Sequence, residues 1–161
     1  MKPTDRFLIV LVVGVVLLVL AAVFVATQRP GQVGYQSEDT AEGVVFNYLL
    51  ALQQGDYERA YSYLSPELAA KPESPEAMAT DLSWRLTDLE RNPRSLSIDG
   101  SRAIGDTTVV TVSETHHYRG GLLGGSRYTR AFDVKLHRIA DAWKIIHSQE
   151  YWYYAWNSVV D

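Results

Sequence analysis

Residues 7–26 read FLIVLVVGVVLLVLAAVFVA, twenty consecutive positions without a charged or strongly polar side chain. At about 1.5 Å of rise per residue this run makes a helix of roughly 30 Å, the thickness of a bilayer's hydrocarbon core. A helix satisfies its own backbone hydrogen bonds in lipid, which an isolated strand or loop cannot do. The run therefore predicts a transmembrane anchor over 7–27 that carries Phe7 and Phe24, with Gly14 as its only interior glycine. A single glycine specifies no small-xxx-small helix-pairing motif. The competing reading is a cleaved signal peptide, whose apolar region usually spans about 7–15 residues and ends in a small-x-small site. Here the run is longer and its end, Ala22-Val23-Phe24-Val25-Ala26, is bulky, so an uncleaved anchor is favoured.

Lys2 and Arg6 precede the run against Asp5, and Arg29 follows it. Positive charge stays on the cytoplasmic side. Residues 1–6 are thus expected as a cytoplasmic tail in a single-pass protein of the cell membrane, with the C-terminal domain extracytoplasmic. The chain has no cysteine, which excludes a lipid-modified cysteine anchor and disulfide staples. Residues 28–39 (QRPGQVGYQSED) are glycine-rich and polar and read as a short tether. Residues 40–156 have the length of one domain, followed by a tail over 157–161. The formal net charge of −4 and the lack of a basic stripe argue against nucleic acid as a partner.

The domain reads as helices first and strands second. Val44, Val45, Tyr48, Leu49 and Leu52 recur at helical spacing, and Gly55 supplies a stop. Asp56 can cap a second helix carrying Tyr57, Ala60, Tyr61 and Leu64. Ser65-Pro66 predicts a short helical turn, and Ser74-Pro75-Glu76 opens a third helix running to Asn92-Pro93. The period then drops to two. A weak strand or hairpin over 95–104 is broken at Asp99-Gly100. A long strand covers 107–119, another 128–138, Ala140-Asp141 is a turn, and a last strand covers 142–154. The fold class is α+β: three helices behind the anchor and a curved antiparallel sheet of about four strands.

Several local signatures sharpen this. Gly55-Asp56-Tyr57-Glu58-Arg59-Ala60-Tyr61, followed by Leu64-Ser65-Pro66-Glu67-Leu68, resembles the opening of nuclear-transport-factor-2-like domains. Asp141-Ala142-Trp143-Lys144-Ile145-Ile146 is similar to that family's closing strand, with Ala142 in place of its glycine. The resemblance implies a cone-shaped fold with a cavity between sheet and helices. In the family that cavity hosts isomerases, dehydratases and hydrolases, and also domains with no chemistry, membrane-anchored bacterial ones among them.

Three residues are candidates if the chain is an enzyme. Glu114 and His116 alternate on one face of the long strand with Val110, Val112 and Tyr118, and His147 sits in the last strand. A carboxylate and an imidazole on neighbouring strands can form an acid–base pair. The bland alternative leaves them as solvated polar groups at strand ends, and it is preferred. Adjacent His116 and His117 point to opposite faces of a strand, so they cannot jointly grip one ion. Neither a metal nor a cofactor is expected, there being no cysteine ligands and no c-type haem motif.

Two features suit interaction. Gly120-Gly121-Leu122-Leu123-Gly124-Gly125 places two leucines at a glycine-rich loop tip, either folded back on the domain or inserted into a partner or lipid. The tail Tyr151-Trp152-Tyr153-Tyr154-Ala155-Trp156, read as strand, shows aromatics on both faces, so Trp152, Tyr154 and Trp156 are candidate partner contacts. The leading expectation is a non-catalytic accessory subunit of a larger membrane complex, an energy-transducing or electron-transfer assembly being one host that fits. Its partners would be other membrane subunits and the bilayer. The alternative is an anchored binding domain for a small apolar ligand, and the third is an isomerase- or hydrolase-type enzyme.

Overall fold

A computed structural model describes residues 34–92, 94–118 and 126–157, together with Val15. The expected anchor, with Phe7, Gly14 and Phe24, lies outside the described residues, as do Leu122, Leu123 and residues 158–161. Among the described residues no helix is long and apolar enough to cross a membrane. The chain divides into one unit over 1–34 and a second over 35–161.

In the second unit α1 spans Ala41–Gln54. Thr40 caps it by accepting the amide of Gly43 at 3.1 Å, and Gly55 ends it in the left-handed region at φ 72°. Val44, Val45, Tyr48, Leu49, Leu50 and Leu52 are all buried, so apolar neighbours cover α1 on more than one side. α2, Tyr57–Ser62, is capped by Asp56 through the amide of Arg59.

Where one long third helix was expected, two occur: α3, Pro75–Asp81, and α4, Ser83–Arg91. They break at Leu82, whose backbone leaves helical values while its side chain is buried. The break lets α3 bury Met78 while α4 buries Leu86 and Leu89. Burial of several apolar side chains at roughly 1.5–3 kcal/mol each outweighs the lost helical continuity.

The strands are β1 (Arg94–Ile104), β2 (Thr107–Tyr118), β3 (Ser126–Ile139) and β4 (Ala142–Ser148). They form an antiparallel sheet in the order β1-β2-β3-β4. Asp99-Gly100 does not split β1 into a hairpin; it makes a bulge, where pairing skips from Ile98 to Gly100. Ala140 (φ 46°) and Asp141 (φ 66°) make the expected turn between β3 and β4. The α+β plan is helices followed by a four-stranded antiparallel meander.

Three further expectations are corrected. Ser65-Pro66 starts no helix. Leu64 instead bridges Ile145 in parallel: Ser65 N–H donates to Ile145 O and Ile145 N–H to Tyr63 O, each at 2.9 Å. An edge strand presents unpaired backbone groups, and this segment occupies those of β4. The last strand stops at Ser148 rather than Tyr154. Tyr151 turns the chain at φ 55°, and Tyr154–Asn157 forms a 3-10 turn. Finally, the tether is not free up to Asp39. Gln36 N–H donates to Asn47 Oδ1 (2.7 Å) while Asn47 Nδ2 donates to Gln36 O (2.9 Å), and Tyr35 Oη donates to Asp56 (3.0 Å). The domain therefore begins at Tyr35.

Candidate functional site

Even-numbered positions of β2 face the helices. Val110 and Val112 are buried there, and so is Glu114, whose side chain is fully shielded from solvent. A buried carboxylate must be paired, and three elements supply partners. Arg130 stands directly opposite on β3 and its Nε–H donates to Glu114 Oε2 at 2.6 Å. Arg94, at the start of β1, donates from Nη1 to Oε1 at 2.7 Å, and Tyr151 Oη donates to the same oxygen at 2.5 Å. The pairs continue outward: Arg94 Nη2 meets Asp88 of α4, Arg130 Nη1 meets Glu150 at 2.9 Å, and Arg85 meets Glu150 at 2.8 Å. Asp88, Glu114 and Glu150 thus alternate with Arg94, Arg130 and Arg85, and the six formal charges cancel.

The electrostatics follow. Burial pushes the Glu114 pKa up, but hydrogen bonds from Tyr151, Arg94 and Arg130 outweigh it and bring the carboxyl down to about 2. Burial and the hydrogen bond to Glu114 both raise the Tyr151 phenol. At neutral pH Glu114 is an ionised acceptor with its oxygens engaged. A general base works best with a pKa near the operating pH and with a free lone pair for the substrate's proton.

Of the three catalytic candidates, two come together. His116 Nε2 lies 3.4 Å from Glu114 Oε2, on the same face of β2. His147 is elsewhere: it pairs with Lys135, whose parity is opposite to that of buried Val134 and Leu136, and so it lies on the other side of the sheet. Its Nδ1 is 3.2 Å from Asn157 Oδ1 and its ring 6.1 Å from that of Trp152. The anticipated pairing of Glu114 with His147 does not form.

Arg94, Arg130 and Tyr151 were missed. Arg130 nevertheless shares the parity of Phe132, Val134 and Leu136, so a basic residue stood at a core position of β3 as Glu114 did on β2. Two opposite charges at core parity on adjacent strands were the available signal.

The aromatic tail separates into three roles. Trp156 is buried, only 1% exposed, and its Nε1–H donates to Asp81 Oδ2 at 2.8 Å. It belongs to the core, which removes it from the partner contacts: a 3-10 turn, unlike a strand, points it inward. Trp152 is half-buried, packs edge-on against Trp156 with ring centres 4.8 Å apart, and donates to Asn157 Oδ1 at 2.7 Å. Tyr154 is 78% exposed. Trp84, near the start of α4, is 60% exposed with the Arg85 guanidinium 4.1 Å over its ring.

A cavity of about 390 Å³ opens between the end of α1 and α4, with Leu52, Tyr57, Leu86, Leu89, Glu90 and Arg94 in its wall. A second depression of about 420 Å³ lies by Lys135, His137 and His147. Among the described residues no three His, Asp or Glu side chains are grouped to hold a metal ion.

No protein-family model and no curated protein matches the chain. Solved structures do. A SEC-C motif containing protein from Rhodopseudomonas palustris is 14% identical, with 71% of this chain and 80% of that one covered and a TM-score of 0.50. A domain described as a calcium/calmodulin-dependent protein kinase type II association domain, from Thiobacillus denitrificans, is 13% identical over 68% and 93% of the two chains at 0.49. A nuclear-transport-factor-2-like protein from Burkholderia thailandensis is 13% identical over 70% and 88% at 0.40. At such identity the first is a likeness of fold alone, and the looser two add no argument to it.

Proposed function

We propose that this chain is a non-catalytic accessory subunit of a larger membrane protein complex, held to the cell membrane through residues 7–27 with its α+β domain outside the cytoplasm. The observation that carries the non-catalytic part is the state of Glu114. The carboxylate best placed for acid–base work is spent on Arg94, Arg130 and Tyr151 and held at a pKa of about 2. Buried networks of this kind make a fold unique and rigid, which suits a scaffold.

The surface that serves docking on this reading carries Tyr154 and Trp84. The turn bearing Tyr154 is tied through Trp156 to Asp81, the last residue of α3, and Trp84 follows three residues later. Exposed Tyr and Trp are the side chains most enriched where protein interfaces carry their binding energy. The occupant is another subunit of the same complex.

The test is mild-detergent extraction of the native membrane, size separation and mass spectrometry of what travels with the chain. Migration in one large defined assembly, lost on Tyr154→Ala with Trp84→Ala, is the expected result. Migration near the mass of a monomer or dimer would overturn the proposal.

A further inference from the structure

On the side of the sheet away from the helices, Lys135 and His147 are paired directly across β3 and β4. Such partners share a face, with Cβ atoms about 4.5–5.5 Å apart. His137 lies two residues beyond Lys135 on that face, roughly 7 Å along the strand. All three line the depression of about 420 Å³, and Glu67 and Asn157 form further parts of its wall. The register shifts after Lys135 and leaves Ile146 unpaired, and this side chain joins Leu68 as apolar wall. Small-molecule sites commonly span about 300–1,000 Å³ and combine apolar walls with a few convergent polar groups.

Asn157 fixes the tautomer of His147. Its Nδ2 donates to Ile146 O at 2.9 Å and its Oδ1 accepts the indole N–H of Trp152 at 2.7 Å. The amide oxygen is therefore the atom 3.2 Å from His147 Nδ1, so Nδ1 carries a proton. Nε2 is left with a lone pair or, in the imidazolium, a second N–H. His137 engages Thr107 Oγ1 through Nε2 at 2.7 Å and keeps Nδ1. Among the described residues neither remaining ring nitrogen has a protein partner, and both atoms stay open to solvent.

Charge narrows the class of ligand. Asp133, two residues before Lys135 on the same face, is held by Arg102 at 2.6 Å and Thr111 at 2.8 Å. With that pair neutral, Lys135 and Lys144, the cross-strand partner of His137, outnumber Glu67 by one positive charge. Lys144 Nζ donates to Ser62 O at 2.7 Å, so the exposed ammonium of Lys135 is the cation left for a ligand. The excess favours an anion. Lys135 and two imidazoles offer three nitrogens, which match the three terminal oxygens of a phosphate better than the two of a carboxylate.

We infer that the depression on the outer face of β3 and β4 binds a phosphate monoester through Lys135, His137 and His147, with the ester's apolar group against Leu68 and Ile146. One proton lies between His147 Nε2 and a phosphate oxygen, whichever of the two formally holds it. This goes beyond subunit docking and does not depend on it.

The full chain in lipid-free micelles of a neutral detergent, labelled with ¹⁵N-histidine, is titrated at pH 7 with phenyl phosphate, benzoate or phosphatidic acid while the ring nitrogens of His137 and His147 are followed. A phosphate ester is expected to shift both rings saturably and to bind about tenfold more tightly than benzoate. Saturation by either ester supports the site, and the tighter one tells a soluble ligand from a lipid headgroup. Lys135→Gln, at an exposed position, is expected to weaken the ester about tenfold without unfolding the domain. Arg138→Gln, at an exposed position of opposite parity on β3, should leave binding unchanged. The inference is overturned by rings that neither ester moves, by benzoate binding as tightly, or by Lys135→Gln binding the ester no more weakly than Arg138→Gln.

Discussion

Glu114 and Arg130 face each other directly across β2 and β3, and Arg130 Nε–H donates to Glu114 Oε2 at 2.6 Å inside the domain. The pair fixes the sign of one pH dependence. The folded-state pKa of Glu114 is depressed from 4.5 to about 2, so its contribution to stability is present above the unfolded value and lost as pH falls through the folded one. A depression of that size is worth on the order of 3 kcal/mol. Urea unfolding should therefore show stability falling between about pH 4.5 and about pH 2. Glu114→Gln should be less stable at pH 7, and in it that fall should be shallower. An unchanged acid limb in the variant would mean that other carboxylates set it.

Trp156 and Tyr154 should respond oppositely. Trp156→Ala removes a buried indole and leaves Asp81 without its donor, at an expected cost of about 3–5 kcal/mol. Tyr154→Ala, at an exposed site, should stay within about 0.5 kcal/mol of the parent. Thermal or urea unfolding of the two proteins checks both. Equal losses would show that Tyr154 is also structural.

Gly43 sits inside α1, where alanine normally gains about 1 kcal/mol over glycine. A Cβ there would lie 1.9 Å from the carbonyl oxygen of Ser37, a backbone atom of the docked entry segment. Gly43→Ala should therefore release residues 35–39 instead of stabilising the helix. Hydrogen exchange should show the Gln36 amide losing protection while the centre of α1 keeps it.

Gly55 makes a contrasting case, since a Cβ would meet no atom within 4 Å. There the cost is conformational, because the residue ends α1 at φ 72°, where an L side chain is strained. Gly55→Ala should lose about 1 kcal/mol in urea unfolding, and Gly55→Asn less.

Local chemistry made much of the domain legible. Asp56 and Ser74 act through side-chain oxygens on amides three residues on, each where its residue type predicts a helix start, and Thr40 caps α1 in the same way. Period-two alternation placed β2 and β3, because a sheet with one buried face sorts side chains by parity. The errors arose where a distant contact outweighed a local preference. Leu82 breaks a helix of good local propensity because burial decides its backbone. Ser65-Pro66 serves the edge of β4, and the aromatic tail turns at Tyr151 instead of extending the strand.

From the residues alone came the apolar run at 7–26, the helices-then-strands order and the suspicion attached to Glu114. Those depend on composition and on spacings of two to four residues, which physics reads locally. Tertiary structure alone decided that Arg94, Arg130 and Tyr151, up to 57 residues apart, converge on that carboxylate. It also sent His147 to the opposite side of the sheet and drew Trp156 into the core. Such outcomes depend on strand register and chain reversal, which bring together groups that no local spacing relates.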